Sequence, residues 1–566
     1  MIGGIRWGAK NAWGRLPRLL DGRPRGSGRS GAVGKPMERR CDRVALLLLL
    51  GLGLAYQAVL FREGVGLIDE GHLANGARRL AGGEILYRDV YTVYPPASFH
   101  AVAWLFELFG TSLLVVRGFH VAMTLALAAL VFVAARRWME RPFAFLAGAL
   151  VAATGWHVIL EGCHYAYLYG AVPMAALLLL ARAGDRVSYD RGALVGIGVL
   201  SALALAFRLE PAVGLGLAGT AVLVAREGIG RRTFEGLAWI LVGVLAVVVP
   251  IGVWYASQGA LGELLLAVFW TSFGQYLEGG EFNLPMPALE FVPAEWTRRG
   301  LRRWFIGWEF RVPVLLYAAA IVEYGRAEWR RRRSASGEAI ASATLERLAL
   351  ALFGAVLYLR ATGRSDYYHL APILFPAYLL GADGLARGWR RFVPARGARL
   401  APLVVAFLLL ASLGLHEFDL AVRRHREVAG KVEILPGGPL VERTQALDDL
   451  VADLRKRTAP GEPIVVLPWY PILYFLADRP NPTRFDWLFP GYLTTEAAVA
   501  AFIDEIDRSA AQVVVYSPIS IDGLPDRSLA AFAPEIDRFL LRRFQPTKRY
   551  GRFWILTRKS AAKDDA

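Results

Sequence analysis

Two adjacent carboxylates, Asp69 and Glu70, follow closely on the first apolar run of the chain, in the segment LIDEGHLANGARRLAGGEILYRDVYTVYPPASFHAVAWLFELFG. An acidic pair beside lipid is costly to desolvate unless it has partners or work to do. Partial burial also raises a carboxyl pKa toward the range useful to a general base. Asp before helix formers is equally the ordinary start signal of a helix, here expected over His72 to Leu80. On spacing alone both readings of Asp69 stand. A second group lies in LRATGRSDYYHLAP, which brings Arg360, Arg364, Asp366 and His369 together. The arginine fork suits phosphate oxygens, although interfacial arginines also bind lipid headgroups or salt-bridge to an acid such as Asp366. Arg208 and Glu210, in FRLEP, either line the same cavity or satisfy each other. His157, Glu161 and His164 stand at i, i+4 and i+7, a spacing that aligns metal ligands on one helical face. The alternative is a polar interfacial turn anchored by Trp156 and Tyr165, and a helix ending at Gly162 breaks the alignment.

The elements that must position these residues are membrane helices. The chain has 566 residues, is 55% hydrophobic and has a mean hydropathy of +0.37, more apolar surface than a soluble protein hides. The net charge of +16 resides in Arg clusters immediately after apolar runs, ARRWMER, AREGIGRR, EWRRRR and RGWRRF. That is positive-inside topology rather than a basic-aromatic face for nucleic acid, so no nucleic-acid partner is expected. Spans fall near 44–61, 113–134, 142–160, 166–182, 192–207, 211–226, 236–256, 309–325, 344–360, 370–386 and 400–417. Residues 1–43, with eleven Lys or Arg against three acids, read as a disordered cytoplasmic tail leading into an uncleaved signal anchor. Cys41 and Cys163 then lie on opposite sides of the membrane and cannot bridge within the chain.

The apolar run after Pro95 and Pro96 is too short to span, and counting it as a span would put every Arg cluster outside. It is expected on the outer surface as a juxtamembrane helix. Two large segments then face outward, 61–112 and 257–308. The Arg360 group is also outward, against the trend of the other basic clusters, and so calls for an anionic partner. Beyond the last span, residues 418–566 shorten to strand-length runs, IVVLP, QVVVYS and FWILTR, alternating with helical stretches. This predicts a small extracytoplasmic α/β domain after a transmembrane domain over 44–417. In it, exposed aromatics of PIVVLPWYPILYFLADRPNPTRFDWLFPGYL suit either carbohydrate stacking or packing against the membrane region, and no catalytic residue is expected there.

The ordered features of the first outer loop resemble the GT-C superfamily of membrane glycosyltransferases: an acidic pair after the first span, a helix ending in ARRLAGGE, then Tyr-Arg-Asp, Tyr-Pro-Pro and a short apolar helix ending in Phe-Gly. The pattern is similar to bacterial relatives of the protein O-mannosyltransferases and of the lipid A aminoarabinose transferase. The resemblance implies a polytopic α-helical, GT-C-like fold in the inner membrane, with the N-terminus cytoplasmic. It implies transfer of a hexosyl or pentosyl group from a polyprenyl-phosphate-linked donor to an acceptor glycan, lipid or protein at the extracytoplasmic face. Carried over residue by residue, Asp69 is the base with Glu70 beside it. Arg88, Asp89, Arg360, Arg364, Asp366 and His369 bind the donor or its phosphate. Some relatives bind a divalent metal near the pair and others do not, so Glu70 and Asp89 stand as metal ligands or as hydrogen-bond acceptors. Two rival readings are a transporter or flippase of lipid-linked sugars, and a non-catalytic scaffold. A transporter commonly shows inverted repeats and paired broken helices, whereas this chain gathers its acids in one loop.

Overall fold

A computed structural model describes residues 36–61, 65–154, 170–184, 190–271, 286–333, 339–363, 365, 367–392, 445–520 and 524–559. Its first part is helical: α1 (Pro36–Leu60), α2 (Asp69–Ala81), α3 (Ala97–Phe109), α4 (Leu113–Ala135), α5 (Arg141–Thr154), α6 (Ala171–Gly184), α7 (Arg191–Phe207), α8 (Leu209–Glu227), α9 (Arg231–Ser257), α10 (Leu261–Leu265, continued by a π turn to Thr271), α11 (Arg298–Arg333), α12 (Ser342–Gly363) and α13 (Phe375–Phe392). Segments of α1, α4, α8, α9 and α12 are long and apolar enough to cross a membrane. Shorter apolar helices include α3, α5, α6 and α7. The chain is thus a helical, membrane-embedded protein with five such spans among the described residues. A helix stands at every expected span up to residue 386, while the one at 400–417 lies outside the described residues. Two helix starts differ most from expectation. Helix α1 begins at Pro36, inside the expected tail, and α11 begins at Arg298, inside the expected outer loop.

The bundle closes where small residues let backbones meet. Helices α7 and α9 pack together at Gly198 and Gly243. A Cβ on Gly198 would lie 2.0 Å from the Ile240 carbonyl oxygen, and one on Gly243 2.1 Å from that of Val195. Nothing larger than hydrogen fits, the means by which helices approach closely in lipid.

The second part is an α/β unit: α14 (Gln445–Arg457), β1 (Ile464–Leu467), α15 (Ile472–Ala477), α16 (Glu496–Arg508), β2 (Val513–Tyr516), α17 (Pro534–Arg543), β3 (Phe544–Tyr550) and β4 (Phe553–Arg558). The sheet has the order β1-β2-β4-β3, parallel between β1 and β2 and antiparallel elsewhere. Alternation along the strands divides its two faces. Val465, Leu467, Val514 and Leu556 pack under α16 and α17. Ile464, Val466, Val513, Val515 and Ile555 join a different core, whose other members are Leu73, Ala77, Tyr87, Val90, Phe99 and Val116. The sheet therefore shares one hydrophobic core with the loop between α1 and α4. Strands β1, β2 and β4 match the expected runs. β3 (FQPTKRY) has exposed polar residues and a proline, which hid it from a hydrophobic pattern.

Candidate active site

Helix α2 carries the acidic pair and is fixed from two sides. Ile68 occupies the cap position without a side-chain capping bond, and Asp69 is the first helical residue. Both acids stand in the first turn, where the helix dipole favours negative charge. Glu70 is fully buried, and so is its partner Arg117 of α4, with Nε to Oε1 at 2.7 Å and a terminal nitrogen to Oε2 at 3.0 Å. Arg117 also donates to the Phe61 carbonyl at 3.1 Å, and the Gly66 amide donates to Glu70 at 2.8 Å. This bidentate pair ties the end of α1, the start of α2 and the start of α4 into one rigid corner. Asp69, one residue earlier, is half-buried.

The far side of α2 is gripped by the α/β unit. Gly71 lies so close to α15 that a Cβ would come 2.4 Å from the Ile472 amide nitrogen. His72 donates to or accepts from Thr92 at 3.1 Å and stacks on Trp487, with centroids 4.0 Å apart. Arg78 pairs with Asp478 at 2.9 Å. Arg79 pairs with buried Asp486 at 2.8 Å and with Glu84 at 2.6 Å, and donates to the Asp89 carbonyl. Burial pushes the Asp486 carboxyl up, but Arg79 outweighs it and holds that group below the usual carboxylate range. Burial pushes His72 down to about 4, so it is neutral. Of the two readings of the aromatics in residues 463–493, stacking or packing, their burial fits packing: Trp469, Tyr470, Tyr474, Phe475 and Trp487 are buried. Trp487 and Phe475 pack on His72 and Phe106 of the 61–112 segment, while Trp469 and Tyr470 pack within the α/β unit.

The rest of that segment is a tight turn. Tyr87 adopts φ +71 and donates from its amide to the Val90 carbonyl at 2.7 Å. Asp89 accepts from the Ile85 amide and is clasped by Arg88 at 2.9 and 2.7 Å, which holds its carboxyl low. Arg88 reaches the Gln258 carbonyl at 3.3 Å. The Tyr87 hydroxyl donates to the Tyr94 carbonyl at 2.8 Å.

Beyond Tyr94 lies the second polar group. Arg208 sits over the Tyr94 ring at 5.3 Å and reaches Glu210 at 3.2 Å. Arg360, from the end of α12, meets the same Glu210 at 3.4 Å. Arg208 and Glu210 thus satisfy each other and also join Arg360. His369 lies in a one-turn helix, Tyr367–Leu370. Arg364 and Asp366 lie outside the described residues, as do His157, Glu161, His164 and Cys163. Tyr492 of the α/β unit packs edge-on against Tyr91, with ring centroids 5.1 Å apart. Burial drives its phenol pKa well up, and the neighbouring Tyr94, Tyr91 and Asp69 push the same way. Sequence reasoning missed Arg117, Asp486 and Tyr492. A lone arginine near the start of an apolar span was the one available signal, since such a residue needs a partner. No group of three metal-ligating side chains gathers among the described residues. A cation drawing on Glu70 or Asp89 would compete with Arg117 or Arg88 for the carboxylate.

No family model matches this chain, and no curated protein matches it. Solved structures do. ArnT from Cupriavidus metallidurans bound to undecaprenyl phosphate is 18% identical with a TM-score of 0.56, over 91% of this chain and 98% of that one. The archaeal oligosaccharyltransferase AglB from Archaeoglobus fulgidus, in complex with an inhibitory peptide and a dolichol-phosphate, is 14% identical with a TM-score of 0.52, over 94% of this chain and 76% of that one. An apo form of the Archaeoglobus fulgidus oligosaccharyltransferase is 13% identical with a TM-score of 0.51, over 84% of this chain and 69% of that one. ArnT is a lipid A aminoarabinose transferase, and both proteins are GT-C glycosyltransferases. At 13 to 18% identity what is common is the architecture, and by that architecture the chain has the GT-C fold.

Proposed function

We propose that this protein is a membrane glycosyltransferase that moves a sugar from a polyprenyl-phosphate carrier to an acceptor hydroxyl at the extracytoplasmic face of the inner membrane. The observation that carries the reading is the Arg208–Glu210–Arg360 group, whose Arg208 lies over Tyr94 of the same loop that carries Asp69. The fold supports it, as do the polyprenyl phosphates bound to the similar structures. Nucleotide sugars are cytoplasmic, so a site on the other face needs a donor resident in the membrane.

In this mechanism Asp69 takes the proton of the acceptor hydroxyl as its oxygen bonds to the anomeric carbon. The bond from that carbon to the phosphate oxygen breaks, and the electron pair leaves with the phosphate. Arg360 and Arg208 stabilise the charge that grows there. Glu70, locked to Arg117, is a positioning residue that sets the first turn of α2. Asp69→Asn keeps the shape and removes the base. Transfer from a polyprenyl-phosphate sugar by the purified, lipid-reconstituted variant should fall by about 100-fold to 10,000-fold with donor binding retained. Near wild-type transfer would remove Asp69 from the chemistry.

A further inference from the structure

Two guanidinium groups converge on one carboxylate at Glu210, so the group carries one net positive charge. The arginines are the fixed members: their side chains are only 6% and 7% exposed, and Arg208 is also stacked over Tyr94. Glu210 is 25% exposed, the member that solvent reaches. Its contacts, three from Arg208 at 3.2 to 3.4 Å and one from Arg360 at 3.4 Å, are each longer than the 2.7 Å of the tight ion pair between Arg117 and Glu70. A loosely held, reachable anion between two fixed cations can be exchanged for another anion.

We propose that Glu210 is a built-in counter-anion that trades places with the carrier phosphate and speeds its departure. The inference rests on the phosphate reading above. The donor is a phosphate diester with one negative charge. Breaking its sugar bond leaves a monoester, whose charge near pH 7 is about −1.5 to −2. Two arginines hold the spent carrier more tightly than the donor, which would slow turnover. Glu210 returning to the arginines offsets that added attraction, and it neutralises one of their two charges when no lipid is bound.

The test is equilibrium binding of polyprenyl phosphate, with uncharged polyprenol as control, to the full-length protein in lipid nanodiscs. Glu210→Gln should bind the phosphate roughly tenfold more tightly and polyprenol unchanged, and its turnover should become more sensitive to inhibition by added polyprenyl phosphate. Glu210→Asp, a smaller perturbation that reaches less far, should fall between. Arg208→Gln and Arg360→Gln should bind the phosphate more weakly. Phosphate binding by both Glu210 variants no tighter than wild type, with the arginine variants weakened, would overturn the counter-anion and leave the phosphate site standing. Unchanged binding in both arginine variants would overturn the two together.

Discussion

Arg117 and Glu70 illustrate how much a single residue decides here. Both are fully buried, and cutting one partner of such a pair leaves an uncompensated charge that costs about 3–5 kcal/mol. Asp69 and Glu70 were legible in the sequence because acids beside lipid are rare, but their different duties were not. The division between them depends on Arg117, which comes from another helix, 47 residues away from Glu70. His72 gives a residue-scale prediction. Its folded pKa, lowered to about 4 by burial, lies below the ordinary 6.5; Asp486 acts on it to raise the value and Arg79 to lower it. A group held neutral in this way stabilises the fold fully above the unfolded pKa, and the stability is lost as pH falls from 6.5 toward 4. The full loss is roughly 3 kcal/mol. Thermal unfolding followed across that range should show a falling midpoint, and His72→Gln should flatten the slope. An equally steep slope in the variant would assign the effect to other groups.

Helix α2 is the element on which both halves of the protein meet. Its first turn is held by the Glu70–Arg117 pair, and its remaining turns by Ile472, Trp487, Asp478 and Asp486. Gly71→Ala puts a methyl 2.4 Å from the Ile472 amide nitrogen, so α2 or α15 must shift. Overpacking of this kind typically costs 1–3 kcal/mol. The variant should unfold at lower temperature and expose the α/β unit to limited proteolysis, while Gly51→Ala, with nothing within 4 Å, should not. Equal protease resistance in Gly71→Ala and wild type would show that the contact is not tight. The sequence disclosed α2 itself through its amphipathic run and the Gly-Gly stop, and α3 through its shortness. It disclosed β1, β2 and β4 as short apolar runs. What it withheld was the docking of that sheet on α2. That contact is made by Trp487, Asp486 and Ile472, residues that serve equally well inside a self-contained domain.

At the scale of the whole molecule, a hydrophobic core shared by the α1–α4 loop and the sheet places both at the same end of the helical bundle. On the proposed topology, with the Arg clusters inside, that end faces away from the cytoplasm. A reporter enzyme fused after residue 418 should be active only outside, and cysteines introduced at 327–333 should be labelled only from the cytoplasm. Activity of the fusion inside would invert the topology and remove the site from its donor. The pairing of Arg79 with Asp486 also bears on how the protein is made. The two are 407 residues apart in the chain. At synthesis rates of about 5–20 residues per second, α2 emerges roughly 20 to 80 s before the aspartate that neutralises it. Arg117, which anchors the front turn, follows Glu70 by only 47 residues, so the front of α2 can be tied long before its back is covered. The contact that closes the back of α2 is therefore made last, and on the proposed function a nascent chain does not begin glycosyl transfer before its C-terminal segment is in place.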